Sequence, residues 1–232
     1  VNQSVAADNR IYGMITEEHE LLVVNADDRS KRQLIRNGDS VINTAGDNVT
    51  LDGLRGVTDI TFSRDGAYAY ASGNTDAKIA IFQMDPITGN LTFVGNGPDS
   101  LVGIDSIVAS DTHLYANGSS SSSLSVYRID TLSGHLTFPA TIAGSAPGSL
   151  SLSDDGSLLY VIGENDGSLR IIKTNDFTGP HQTITNGESV MNNTGNPVVL
   201  DGLDAASSIA TSDSNRFLYV TGKNSNSITV FE

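Results

Sequence analysis

His19, His113, His135 and His181 are the four side chains of this sequence whose unperturbed titration falls between pH 5 and 8. Any of them could act as a general base or acid. Hydrolysis would then need a second group, or a metal-bound water, to stabilise a developing oxyanion. Carboxylates are plentiful: 27 Asp and Glu stand against 13 Lys and Arg, for a net charge of −14. That balance disfavours nucleic acid as a partner, because its phosphates are bound through Lys and Arg. It suits cations, neutral sugars or a protein kept soluble outside the cell. Cysteine is absent, which removes thiolate catalysis, disulfides and Cys-ligated metals. No G-x-S-x-G, H-E-x-x-H or P-loop sequence occurs. No apolar run approaches the length of a membrane helix, so membrane insertion is not expected.

The elements that must position these residues follow from internal repetition. "NGDSVINTAGDNVTLDGLRGVTDITFSRDGAYAYASGNTDAKIAIFQ", from Asn37, aligns without a gap to "NGESVMNNTGNPVVLDGLDAASSIATSDSNRFLYVTGKNSNSITVFE", from Asn186, at an offset of 149 residues. A shorter unit lies inside it. Tyr12, Tyr70, Tyr115, Tyr160 and Tyr219 each sit in a short apolar run, at spacings of 58, 45, 45 and 59. Before each run comes an alternating stretch and a polar turn, such as "SRDG" at Ser63 or "SDDG" at Ser153. After it come a loop and a second alternating stretch, "ELLVV", "KIAIF", "LSVYR", "LRIIK" or "ITVFE". Alternation of this length is the strand period, and Asp-Gly or Asn/Ser-rich turns join strands as hairpins. Each unit therefore reads as four antiparallel strands, A to D, and the recurrence is the signature of a propeller blade. The expected fold is all-β, a single five-bladed β-propeller over 1–232, with blades near 1–37, 55–96, 103–142, 147–186 and 204–232. The last blade lacks its outer strand.

The segments "SDSNRFLYVTGKNSNSITVFE" and "SRDGAYAYASGNTDAKIAIFQMDPITGNLTFV", with the "LDGL" lead-ins at Leu51 and Leu200, resemble the repeat of YVTN and lactonase-like β-propellers. The resemblance covers nearly the whole chain and speaks to fold more than to activity. The family includes sugar-lactone hydrolases, surface-layer proteins and uncharacterised secreted repeats, and its hydrolases mostly have more than five blades.

In such a fold the D-to-A and B-to-C loops gather on one face. That face is the expected ligand-binding face, carrying Asp39, Asp47, Asp52, Glu188 and Asp201, with B-to-C loops at Glu17, Asn74, Asn117, Glu164 and Lys223. Blade alignment puts His19 on this face, His113 and His135 on the opposite one and His181 near a D strand, so the four do not converge. An acid-only site with bound calcium, from Glu17, Glu18, Asp39 and Glu188, is the remaining hydrolytic arrangement. Calcium could also sit in the acid-rich turns at Asn25 and Ser153, although ordinary hairpin turns explain both; no other cofactor is implied. The short last blade has three readings: the chain is a piece of a longer repeat protein, the five blades close with a three-stranded last blade, or the unpaired edge Ser227, Ile228, Thr229, Val230 and Phe231 is a template for strand addition, hence for self-association. These features together predict a non-enzymatic extracellular or cell-surface module that binds a protein or glycan partner or builds an assembly. The alternative is a lactonase-like hydrolase of a sugar lactone.

Overall fold

The computed structural model describes residues 3–7, 10–15, 17–25, 28, 30–99, 103–118, 123–143, 148–212 and 216–232. Parts of the loops expected at Asn117, Asn25 and Ser212 lie outside the described residues. The described residues are strands and turns without a helix. Contacts divide them into two compact units, one of residues 1–120 and 125–140 and one of residues 121–124 and 141–232.

The first unit begins with a four-stranded antiparallel meander of β1 (Gln3–Ala7), β2 (Arg10–Ile15), β3 (Glu20–Asn25) and β4 (Arg32–Arg36). A two-stranded ribbon, β5 (Ser40–Ile42) and β6 (Asn48–Thr50), follows. The second meander is β7 (Val57–Phe62), β8 (Tyr68–Gly73), β9 (Lys78–Met84) and β10 (Leu91–Asn96). The third is β11 (Ile104–Ala109), β12 (His113–Gly118), β13 (Ser123–Ile129) and β14 (Leu136–Ala143), with the division between units passing through β13 and β14. The second unit holds a meander of β15 (Leu150–Leu152), β16 (Leu158–Gly163), β17 (Ser168–Lys173) and β18 (Gln182–Thr185). A ribbon of β19 (Ser189–Met191) and β20 (Pro197–Val199) comes next, and then a three-stranded sheet of β21 (Ala206–Thr211), β22 (Leu218–Gly222) and β23 (Ser227–Phe231). Among the described residues β23 pairs only with β22, and its alternation leaves Ile228 and Val230 exposed.

Turn chemistry sets the strand ends. Ser63 Oγ accepts from the Tyr68 N–H and donates to Asp65, which accepts from the Ala67 N–H. Ser153, Asp155 and Leu158 repeat the pattern. Serine and aspartate are favoured in such turns because their oxygens satisfy backbone donors that leave the ladder. Asp155 takes the Ser153 hydroxyl, then the N–H and hydroxyl of Ser157, and is held down at about 2. The turn hydrogen bonds therefore account for its carboxylate. Between strands C and D, Asp85, Asp130 and Asp176 each accept two backbone N–H groups of their own turn.

The repeating tyrosine joins sheets within the first unit. Tyr12 is buried in a cluster with Leu21, Val57, Ala71 and Phe82, and its hydroxyl donates to the Gly89 carbonyl in the next meander's C–D turn. Tyr70, also buried, donates to the Gly134 carbonyl in the equivalent turn of the third meander. Gly134 has φ +71, and a Cβ there would come within 2.3 Å of the Tyr68 ring. This staple is a physical reason for the tyrosine and the T-G or S-G turn to recur together. Removing only the hydroxyl, with Tyr70→Phe, is expected to cost about 1 kcal/mol of unfolding free energy in a denaturant titration. Tyr219 departs from the pattern: it is 40% exposed.

The stretches after Asn37 and Asn186 read as loops in the sequence but fold as ribbons. In the first, Asn43 Oδ1 accepts from the N–H groups of Ala45 and Asp47. In the second, Asn192 Oδ1 accepts from Thr194 and Asn196. Three-residue strands are too short for alternation to reveal.

Candidate functional site

The two aligned segments share their scaffold. Asn37 Oδ1 accepts from the Leu54 N–H at 2.9 Å, and Asn186 Oδ1 accepts from Leu203 at 2.9 Å. The Asn37 N–H donates to the His19 carbonyl, and the Asn186 N–H to the Gly167 carbonyl. The Asn74 N–H donates to the Gly56 carbonyl, and the Lys223 N–H to the Ala205 carbonyl. Each copy is thus a structural control for the other. Side chains that differ between them are not required by the scaffold.

Those differences concentrate reactive groups in the first unit. His19 occupies the B–C turn position taken by Gly167 in the second, and both are left-handed, with φ of 58° and 61°. Arg55, Asp76 and Lys78 stand where the other copy has Asp204, Ser225 and Ser227. A non-glycine residue at positive φ costs roughly 1 kcal/mol or more, and such outliers cluster at functional sites.

A hydrogen-bonded chain then crosses three meanders. The Gly56 N–H donates to His19 Nδ1 at 3.1 Å. The Gly56 carbonyl accepts from the Asn74 N–H at 3.1 Å. Asn74 Nδ2 donates to Asp105 Oδ1 at 2.5 Å. Gly56 has φ +67, and a Cβ there would approach Thr75 Oγ1 to 2.5 Å. With Nδ1 accepting, the neutral His19 ring carries its proton on Nε2. Asp105 lies at a β-bulge, where the β11–β12 register shifts between Ile104 and Ser106. The β7–β8 and β21–β22 pairs have the same bulge, at Thr58 and Ser207. Bulges re-aim the extra side chain, and in this sheet that side chain is a carboxylate.

Ion pairs flank the chain. The Asp76 carboxylate accepts from the Arg55 N–H at 3.0 Å and pairs with its guanidinium at 3.6 Å. Lys78 Nζ meets Asp52 Oδ2 at 2.6 Å, which lowers the Asp52 carboxyl from its usual range and raises the Lys78 ammonium. Arg36 pairs with the buried Glu20 at 2.5 Å.

Of the acidic residues expected on this face, Asp52 borders the cluster: it and Asp76 both accept from the Gly53 N–H, and it pairs with Lys78. Asp39 is exposed at the base of the first ribbon, where its carbonyl accepts from the Leu51 N–H. Asp47 is at the ribbon's far turn. Glu188 and Asp201 are exposed in the second unit, and Glu188 Oε2 accepts from the Thr185 N–H. The acid-only calcium arrangement is not formed: no three His, Asp or Glu among the described residues are grouped to hold a metal. His113 hydrogen-bonds Thr112 at the A–B end of its sheet, and His135 lies in a C–D turn. Sequence reasoning set His19 aside with the other histidines, reached Asn74 as the head of a B–C loop on this face, and did not single out Arg55 or Asp105. The available signal was the 149-residue alignment, read for its mismatches.

Asp59, on β7, adds a pH-sensitive strut. Its carboxylate accepts from Ile60 and from Ile107 on β11. Burial pushes it up from an ordinary 3.8 to about 6, against those hydrogen bonds and that of Ser106. The equivalent positions after the bulge in β11 and β21 hold Ser106 and Ser208. The folded state keeps this proton after the unfolded chain has lost it. Stability therefore falls as pH rises from about 4 to about 6, by up to about 3 kcal/mol. Asp59→Ser is expected to remove that part of the slope, read as the difference between the two proteins' denaturant midpoints at pH 4.5 and 7.5.

Comparison with known proteins places the chain. The profile of the family described as "Lactonase, 7-bladed beta-propeller" matches residues 35–141, 106–199 and 138–232. No curated protein matches the sequence. A protein of unknown function from Desulfotomaculum acetoxidans superposes with a TM-score of 0.66 at 12% identity, over 99% of this chain and 68% of its own. A Bacteroides uniformis protein provisionally assigned as a 6-phosphogluconolactonase gives 0.65 at 18%, over 99% and 65%. The Pseudomonas aeruginosa periplasmic gluconolactonase PpgL gives 0.60 at 17%, over 96% and 57%. At these identities the likeness carries the fold alone, and the chain spans 57% to 68% of these proteins' lengths. The family match overturns the expectation of a non-enzymatic module; loops rich in Asn, Asp, Ser and Gly had favoured generic contact over chemistry. The resemblance to lactonase-like propellers holds, while the family's architecture is seven-bladed. The chain belongs to the lactonase family of seven-bladed β-propellers.

Proposed function

We propose that this protein is a lactonase-like hydrolase that opens a sugar lactone at the cluster of His19, Arg55, Asn74 and Asp105. The observation that carries the reading is the chain from His19 through Gly56 and Asn74 to Asp105, with His19 and Arg55 standing where the aligned copy has Gly167 and Asp204. The family match supports the same chemistry. Asp105, oriented by Asn74, takes a proton from water as it attacks the lactone carbonyl carbon. The His19 Nε2–H stabilises the oxyanion. The bond from the carbonyl carbon to the ring oxygen then breaks, the ring oxygen takes up the proton, and the product ionises to a carboxylate. The count of five tyrosine-marked blades, against the family's seven, is part of this proposal and stands on the five sequence repeats.

The test is a pH-stat assay with glucono-1,5-lactone, which reads the proton released per ring opened. Base consumption at least tenfold above the spontaneous rate, proportional to protein concentration, is the expected outcome. A rate equal to buffer removes the proposal.

A further inference from the structure

Within the lactonase reading, on which this inference rests, we infer that the substrate is an uncharged sugar lactone and that its phosphorylated counterpart is discriminated against. The reason is the charge inventory of the B–C and D–A end of the first unit. Three cations stand there, and each is already paired: Arg36 with Glu20, Arg55 with Asp76, and Lys78 with Asp52. Two of the three partner carboxylates are further fixed by the backbone: Asp52 accepts from Gly53, and Asp76 from Gly53 and Arg55. The same turns and connections carry five more carboxylates, Glu17, Glu18, Asp39, Asp99 and Asp105. Asp99 acts on Lys78 through its charge.

A phosphomonoester near pH 7 carries −1.5 to −2 charges and is held by unpaired Arg or Lys, or by a helix N-terminus. Neither is offered among the described residues at this end. Binding a phosphate would require breaking a 2.6 Å or 3.6 Å ion pair and placing a dianion beside several carboxylates. A neutral lactone meets no such cost. Its ring hydroxyls find an acceptor in the Asp105 carboxylate and a donor in the Asn74 amide. Opening the neutral ring creates one carboxylate, which the same negative surroundings repel, favouring release.

The experiment compares kcat/KM for glucono-1,5-lactone and its 6-phosphate by pH-stat, at about 20 mM and about 500 mM salt. At low salt the neutral lactone is expected to be preferred at least tenfold. The gap should narrow several-fold at high salt, as screening weakens the repulsion. The double variant Glu17→Gln, Glu18→Gln, whose residues are exposed and outside the hydrogen-bonded chain, should raise the 6-phosphate value about threefold or more and leave the neutral one unchanged. Equal or better use of the 6-phosphate at low salt overturns the inference and leaves the lactonase reading standing. A gap that neither salt nor the double variant moves overturns its electrostatic cause. Hydrolysis of neither compound removes the lactonase reading, and the inference falls with it.

Discussion

Replacing Asp105 by Asn is expected to lower kcat for lactone hydrolysis by about 10²–10⁴-fold while KM changes little. The substitution keeps the side chain's size, its place at the bulge and an oxygen to accept from Asn74 Nδ2. What it loses is the capacity to take a proton from water. A structural role would give another signature: the midpoint in denaturant would move and activity would follow the folded fraction. Measuring both on the same preparations separates the two. A folded Asp105→Asn protein with wild-type kcat excludes the carboxylate as base.

The second large effect concerns His19. His19→Gly should cost about 10²–10³-fold in kcat, the loss attached to one oxyanion donor. Stability should change by less than about 1 kcal/mol. Two opposing contributions make that so. Glycine adopts φ near 58° without the steric penalty of a β-carbon, as Gly167 does at φ 61° in the sister turn. Against this, the unfolded chain gains freedom and the Gly56 N–H loses its Nδ1 acceptor. The expected pairing of near-native stability with impaired activity is what a strained position kept for function produces. His19→Ala should impair activity similarly but lose more stability, because alanine keeps the β-carbon and contributes no acceptor. A His19→Gly protein as active as the wild type would place the oxyanion donor elsewhere.

Much of the architecture was legible because local rules and global fold agree. The alternating runs, the Ser-x-Asp-Gly turns and the tyrosine spacing correctly marked the antiparallel meanders, and the 149-residue alignment marked a duplicated scaffold down to the Asn37 and Asn186 bonds. The ribbons escaped notice, since three residues are too few to show a period and their turns are held by one asparagine each. The acidic residues singled out for the ligand-binding face were selected by type and loop position. One of them, Asp52, borders the cluster, sharing the Gly53 N–H with the Asp76 that pairs with Arg55.

The sequence by itself determined the strand pattern, the turn types and the repetition, because these depend on neighbours within a few residues and on a period that counting can reveal. Only the tertiary structure decided where chemistry gathers. Residues 19, 56, 74 and 105 come from a B–C turn, a lead-in, a second B–C turn and a bulge in three different meanders. Their meeting depends on sheet-to-sheet packing, on a left-handed turn that aims His19 and on a one-residue register shift that re-aims Asp105. None of these leaves a periodic mark in the chain. They are fixed by distances between residues far apart in sequence, and those distances exist only once the sheets have packed.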